Sequence, residues 1–147
     1  MPVQPVPDGY HTVTPYLLVR GVAPLLEFLK TAFEAEVKEC VDAPGGQIMH
    51  AQVQVGDSRI MMGECPPDGE FQPMPAFLYL YVEDADAWYR RALEAGGTSA
   101  QEPRDEFYGD RTAGVKDPVG NLWWIATHVE DVPSEEIARR AAARQGG

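Results

Sequence analysis

Two hydrophobic periodicities divide this chain. From Ile48 to Val55 apolar and polar residues alternate, the pattern of a strand with one buried face. From Val22 to Glu36, Leu25, Leu26, Leu29, Ala32 and Phe33 recur at helical spacing, with Pro24 tolerated in the first turn. Extended along the first half, the same reading predicts a strand over Val13–Val19, the helix over Val22–Glu36 and a short strand over Val37–Ala43. A hairpin of Ile48–Val55 and Arg59–Glu64 follows, about the turn Gly56-Asp57-Ser58. That order is β-α-β-β-β. Residues 65–75 hold four prolines and read as a linker.

The series then restarts. A strand is expected over Ala76–Glu83 and a helix over Asp84–Ala95, with Asp84 as its N-cap and Gly96-Gly97 ending it. Strands follow over Thr98–Glu102, Thr112–Lys116 and Asn121–His128, and a helix over Ser134–Arg144 closes the chain. Tyr16-Leu17-Leu18-Val19 registers on Tyr79-Leu80-Tyr81-Val82 at an offset of 63 residues, and Glu64 registers on His128 as the end of each last strand. The predicted organisation is α+β: a first module over 12–64, the linker 65–75, a second module over 76–128 and a C-terminal helix and tail over 129–147.

The length of 147 residues suits one compact unit. Twelve basic against twenty-three acidic residues give a formal charge of −11, which argues against nucleic acid or an anionic membrane as a partner and is compatible with a cationic ligand. Cys40 and Cys65 are too few for a disulfide framework and do not form a Cys-x-x-Cys pair. The N-terminus lacks the pattern of a signal peptide, and no apolar run reaches membrane-spanning length, so a cytoplasmic protein is expected. Gly-x-Ser-x-Gly, Walker and Gly-x-Gly-x-x-Gly signatures are missing, which leaves hydrolase, NTPase and dinucleotide readings without support.

Several segments together carry a resemblance: Tyr10-His11-Thr12-Val13-Thr14-Pro15-Tyr16, Met49-His50-Ala51 through Gly56-Asp57-Ser58-Arg59, Tyr108-Gly109-Asp110-Arg111, Asp117-Pro118-Val119-Gly120-Asn121 and Ile125 through Asp131. In order and spacing the chain resembles the vicinal oxygen chelate superfamily (glyoxalase, bleomycin resistance, dioxygenase), and within it the PhnB-like branch. The resemblance implies two βαβββ modules forming a curved mixed-sheet cup that holds a small molecule, in a homodimer. It also implies a divalent metal bound through the first and last strands of each module. Registered on this chain, those positions fall near Thr14, Met62, Phe77 and Trp124, of which the last three offer no hard donor. No cofactor is therefore expected. A divalent metal would need off-register ligands, with His50, Glu64 and His128 as the candidates.

Strand parity sorts the remaining candidates. With Phe77 and Trp124 toward the cup, Tyr79, Tyr81 and His128 follow, whereas Leu78 and Leu80 face the helix. Ala51, Val53 and Val55 form one face of their strand, leaving His50 and Gln52 on the other. The same parity is expected to bring Glu64 to the cup side with Ile60 and Met62. Tyr108 and Arg111 together could grip a carboxylate or phosphate oxygen; the plainer reading is an Asp110–Arg111 turn with Tyr108 on the rim. His50 reads equally as a hydrogen-bonded surface residue, and His128 as an imidazole whose charge Glu130 and Asp131 stabilise. No residue is singled out as catalytic. The expected function is binding of a small organic molecule in an aromatic cup, with lyase or isomerase-type chemistry open. The alternatives are sequestration of a cationic compound and a metal-dependent glyoxalase or dioxygenase.

Overall fold

The alternation at Ile48–Val55 sets the layering of the first half: Ala51, Val53 and Val55 are buried against the helix, and His50, Gln52 and Gln54 face the other way. The computed structural model describes residues 3–145. Residues 146 and 147, the end of the expected tail, and residues 1 and 2 lie outside the described residues. The elements are β1 (Tyr16–Val19), α1 (Val22–Phe33), β2 (Glu36–Asp42), β3 (Ile48–Val55), β4 (Ser58–Glu64), β5 (Phe77–Tyr81), α2 (Ala85–Glu94), β6 (Thr98–Asp105), β7 (Asp110–Lys116), β8 (Leu122–His128) and α3 (Ser134–Gln145). They form an α+β fold of two four-stranded mixed sheets, ordered β1-β4-β3-β2 and β5-β8-β7-β6. In each, the first strand pairs in parallel with the last, and every other pairing is antiparallel. The two halves thus repeat one topology.

Where boundaries differ from the sequence reading, local chemistry accounts for it. α1 stops at Phe33 because Glu34 turns left-handed at φ 54° and closes the helix. β6 continues through Pro103 to Asp105 because it is an outer strand whose pairing with β7 shifts between Gln101 and Arg104, so the missing N–H breaks no ladder. β7 begins at Asp110, two residues earlier than expected, since Asp110 already pairs with His128 of β8. The linker is tied down at Met74, whose N–H donates to the Leu18 carbonyl at 3.0 Å.

α1 and α2 each cover one face of the sheet in their own half, and they pack on each other. Phe33 lies between Trp88 and Trp123, with ring centroids 5.6 and 5.3 Å away, and Trp123 is fully buried. Arg91 of α2 donates to the Ala32 carbonyl at 2.8 Å and pairs with Glu34, joining the modules at the end of α1. The buried Asp117 accepts from the backbone N–H of Val119 and Asn121, from Asn121 Nδ2 and from Trp123 Nε1, so the Asp117–Asn121 turn is structural. Among the described residues no helix is long and apolar enough to cross a membrane.

Candidate functional site

With one face of each sheet under a helix, the opposite face is where strand side chains lie open to a ligand. On the second sheet that face carries Phe77, Tyr79 and Tyr81 of β5, all substantially exposed, and Trp124 of β8. Phe77 and Trp124 stack at 5.1 Å, and Tyr79 and Tyr81 sit 5.3 Å apart. Trp124 can lie over β7 because residue 114 is glycine: a Cβ there would overlap the indole ring.

Behind the tyrosines is a carboxylate. Asp110, the first residue of β7, is 3% exposed and accepts from Tyr79 Oη at 2.7 Å, Tyr81 Oη at 3.1 Å and His128 Nδ1 at 2.8 Å. Burial opposes its ionisation, but these three donors outweigh burial and hold its pKa below the usual carboxylate value. His128 Nε2 in turn lies 2.7 Å from Asp131 Oδ1. A carboxylate at each nitrogen favours the doubly protonated imidazole, whose pKa is raised by the hydrogen bonds to Asp110 and Asp131. Tyr79 is pushed the same way, by burial first and then by Tyr108 and Asp110, so its phenol stays protonated. Tyr108 reaches the group from the loop before β7, its Oη 3.4 Å from that of Tyr79.

The first sheet presents a smaller group. Tyr16 Oη is 3.2 Å from His50 Nδ1, and His50 Nε2 is 3.0 Å from the Gln52 amide. Tyr16 and His50 border a cavity of about 600 Å³ that Leu18, Cys65 and Phe71 also line. Gly63 leaves room for the Tyr16 hydroxyl, as Gly114 does for Trp124.

Three expectations are corrected. Ile60 and Met62 do not face the cup: they are buried in the core, Met62 beside Leu17, and Glu64, paired with Val19 at the strand's end, borders the first-sheet cavity while its carboxylate is taken up by the start of α1. Its carboxylate accepts from the N–H of Gly21 and Val22 at 3.0–3.1 Å. Its true counterpart is Thr127, not His128: Thr127 Oγ1 accepts from Ala85 N at the start of α2, 2.8 Å away. Arg111 does not pair with Tyr108. Its guanidinium is bidentate to Asp86 of α2 at 2.7 and 3.0 Å and also reaches Asp105, which raises its own pKa and lowers that of Asp86. Asp110 is the residue that sequence reading missed. Placed in a loop, it was not sorted by parity, although Thr112 and Gly114 lie two and four residues along the same strand.

The strand-end metal positions can now be read from register. Of the expected positions Thr14 lies before β1, Met62 is buried in the core, and Phe77 stacks on Trp124 at the cup face, where Tyr16 lies opposite Met61 and Tyr79 opposite Trp124. Phenols, a thioether and an indole do not form a donor set for Zn, Ni, Fe or Mn. His50, Glu64 and His128 do not converge either, and among the described residues no group of three or more His, Cys, Asp or Glu could hold a metal ion.

Residues 10–125 match the profile of the Glyoxalase/Bleomycin resistance protein/Dioxygenase superfamily. The chain belongs to that superfamily. An uncharacterised protein of Mycobacterium bovis is 30% identical over 143 residues, spanning 91% of this chain and 93% of its own. Among solved structures, TioX from Micromonospora superposes with a TM-score of 0.64 at 22% identity, covering 80% of this chain and 99% of its own. A PhnB protein of Bacillus cereus gives 0.60 at 16% identity, covering 80% and 99%. These likenesses place the chain in the superfamily's fold, with PhnB-like neighbours.

Proposed function

We propose that this superfamily member binds a small planar organic molecule on the aromatic face of its second sheet, as a homodimer and without a strand-end metal. The observation that carries this reading is the row of exposed Phe77, Tyr79 and Tyr81 with the half-buried Trp124, in which Asp110 fixes the two tyrosines from behind and Phe77 stacks on Trp124. Such rings offer stacking area at little conformational cost. Binding is favoured over turnover because the cluster presents no free base. Asp110 is saturated by three donors, both nitrogens of His128 face carboxylates, and Tyr79 holds its proton. Lyase or isomerase-type chemistry would have to run through His50 on the other sheet. Dimerisation is supported by large apolar side chains outside the stacking row, Tyr16, Met49, Phe71 and Met74, that are exposed in one chain.

The test is a screen of planar aromatics by tryptophan fluorescence on protein dialysed against a chelator. Saturable quenching that persists after dialysis and falls at least about tenfold in affinity in Trp124→Leu is expected. Binding that disappears on chelation and returns with Zn, or that ignores the Trp124 change, would overturn the proposal.

A further inference from the structure

The orientation of the hydroxyl protons in the second-sheet cluster has a consequence for ligand charge. A carboxylate can only accept, so both tyrosines that contact Asp110 must donate to it. The single proton of Tyr79 is thereby committed at 2.7 Å, and the 3.4 Å contact with Tyr108 is one in which Tyr108 donates to Tyr79. All three hydroxyl protons point inward. Besides the Trp124 indole N–H, what remains on the ligand side is oxygen lone pairs and the negative faces of Phe77, Tyr81 and Trp124. The formal charge of the network is also negative: Asp110 and Asp131 are anionic against one imidazolium, His128. The neighbouring cation Arg111 is held by Asp86 and Asp105, and Arg140 by Glu130 and Glu136, so neither offers its charge to this face. The whole chain adds a long-range field of the same sign, with a formal charge of −11.

We infer that the ligand of this face is a planar organic cation carrying N–H donors, such as an amidinium or a protonated aromatic amine, which stacks on Phe77 and Trp124 and donates to the Tyr79 and Tyr81 oxygens. The inference rests on the proposed binding role of the same face and adds the charge and hydrogen-bond polarity of what is bound. Anions meet the Asp110 charge behind the phenols and find no hydroxyl proton turned toward them. Neutral planar molecules stack but gain no charge-assisted contact.

Three probes of one shape separate these possibilities: benzamidine as its cation, benzamide and benzoate. Each is titrated into the full-length protein while the indole N–H resonances are followed by NMR, the Trp124 signal being identified by its loss in Trp124→Leu. The expected order is benzamidinium tightest, at least about tenfold over benzamide, with benzoate giving no saturable shift. In Asp110→Asn the preference for benzamidinium over benzamide should fall to within about twofold. Tyr81→Phe, at an exposed position, should weaken benzamidinium several-fold while the protein keeps its native spectrum, so the prediction survives if Asp110→Asn fails to fold. If benzamide or benzoate binds Trp124 as well as benzamidinium does, the charge inference fails and the aromatic-face reading stands. If none of the three shifts Trp124, both fail. An unchanged preference in Asp110→Asn or Tyr81→Phe also overturns the inference.

Discussion

His128 shows how one residue can be half exposed and still strongly constrained. Its two nitrogens are divided between a buried carboxylate at the start of β7 and an exposed one on the way to α3, so its charge state is tied to the folded arrangement. Its folded pKa is raised, so its contribution to stability is complete below the unfolded value of about 6.5 and is lost as pH rises through the raised value. Asp110 works in the opposite sense. Its folded pKa is lowered, so its contribution is present above the unfolded carboxylate value of about 3.9 and is lost as pH falls through the lowered one. An NMR titration should therefore give His128 a midpoint above 6.5, moving down in Asp110→Asn. A midpoint at or below the ordinary imidazole value would contradict the doubly bonded geometry.

Among the elements, the clearest repeated device is the way each helix begins. Neither helix relies on its own N-cap alone. α1 starts after Gly21, whose N–H and that of Val22 donate to Glu64 at the end of β4. α2 has Asp84 accepting from Ala87 N and, in addition, Thr127 from β8 on Ala85 N. Because α1 lacks a side-chain cap of its own, Glu64→Ala should destabilise the protein by about 1–2 kcal/mol, and Thr127→Ala by less, read by urea denaturation. Equal effects would mean that Asp84 gives α2 no independent support. The element order and most boundaries were legible in the sequence, because periodicity and the Gly and Pro turns are local signals. The role of Glu64 was not. It depends on which residue of β4 lies beside Leu17 and Val19, and a shift of one residue in that pairing exchanges the two faces of the strand. For the same reason Phe77, Tyr79, Tyr81 and Trp124 could be assigned to one face from parity, while Asp110 became visible only once β7 was seen to begin two residues early.

At the scale of the molecule, the layers leave an imbalance. The helices pack on each other and on the sheets, burying Phe33, Trp123 and the aliphatic strand residues, while the opposite face of each sheet keeps large apolar groups in contact with water. Covering those of them outside the ligand row, such as Tyr16, Met49 and Met74, with a second copy would remove them from solvent at roughly 25 cal/mol for each Å² of apolar surface. Sedimentation should accordingly give twice the chain mass at micromolar concentration, with dissociation on dilution. A species of single-chain mass at every concentration would count against the homodimer.

The capping of α1 by Glu64 also bears on synthesis. A ribosome adds Val22 42 residues before the carboxylate that its amide needs, and the same delay of 42 residues recurs between Ala85 and Thr127. Each half of the polypeptide therefore becomes self-supporting only when its final strand has emerged, which makes nascent chains arrested just short of either point the ones most exposed to proteases and chaperones.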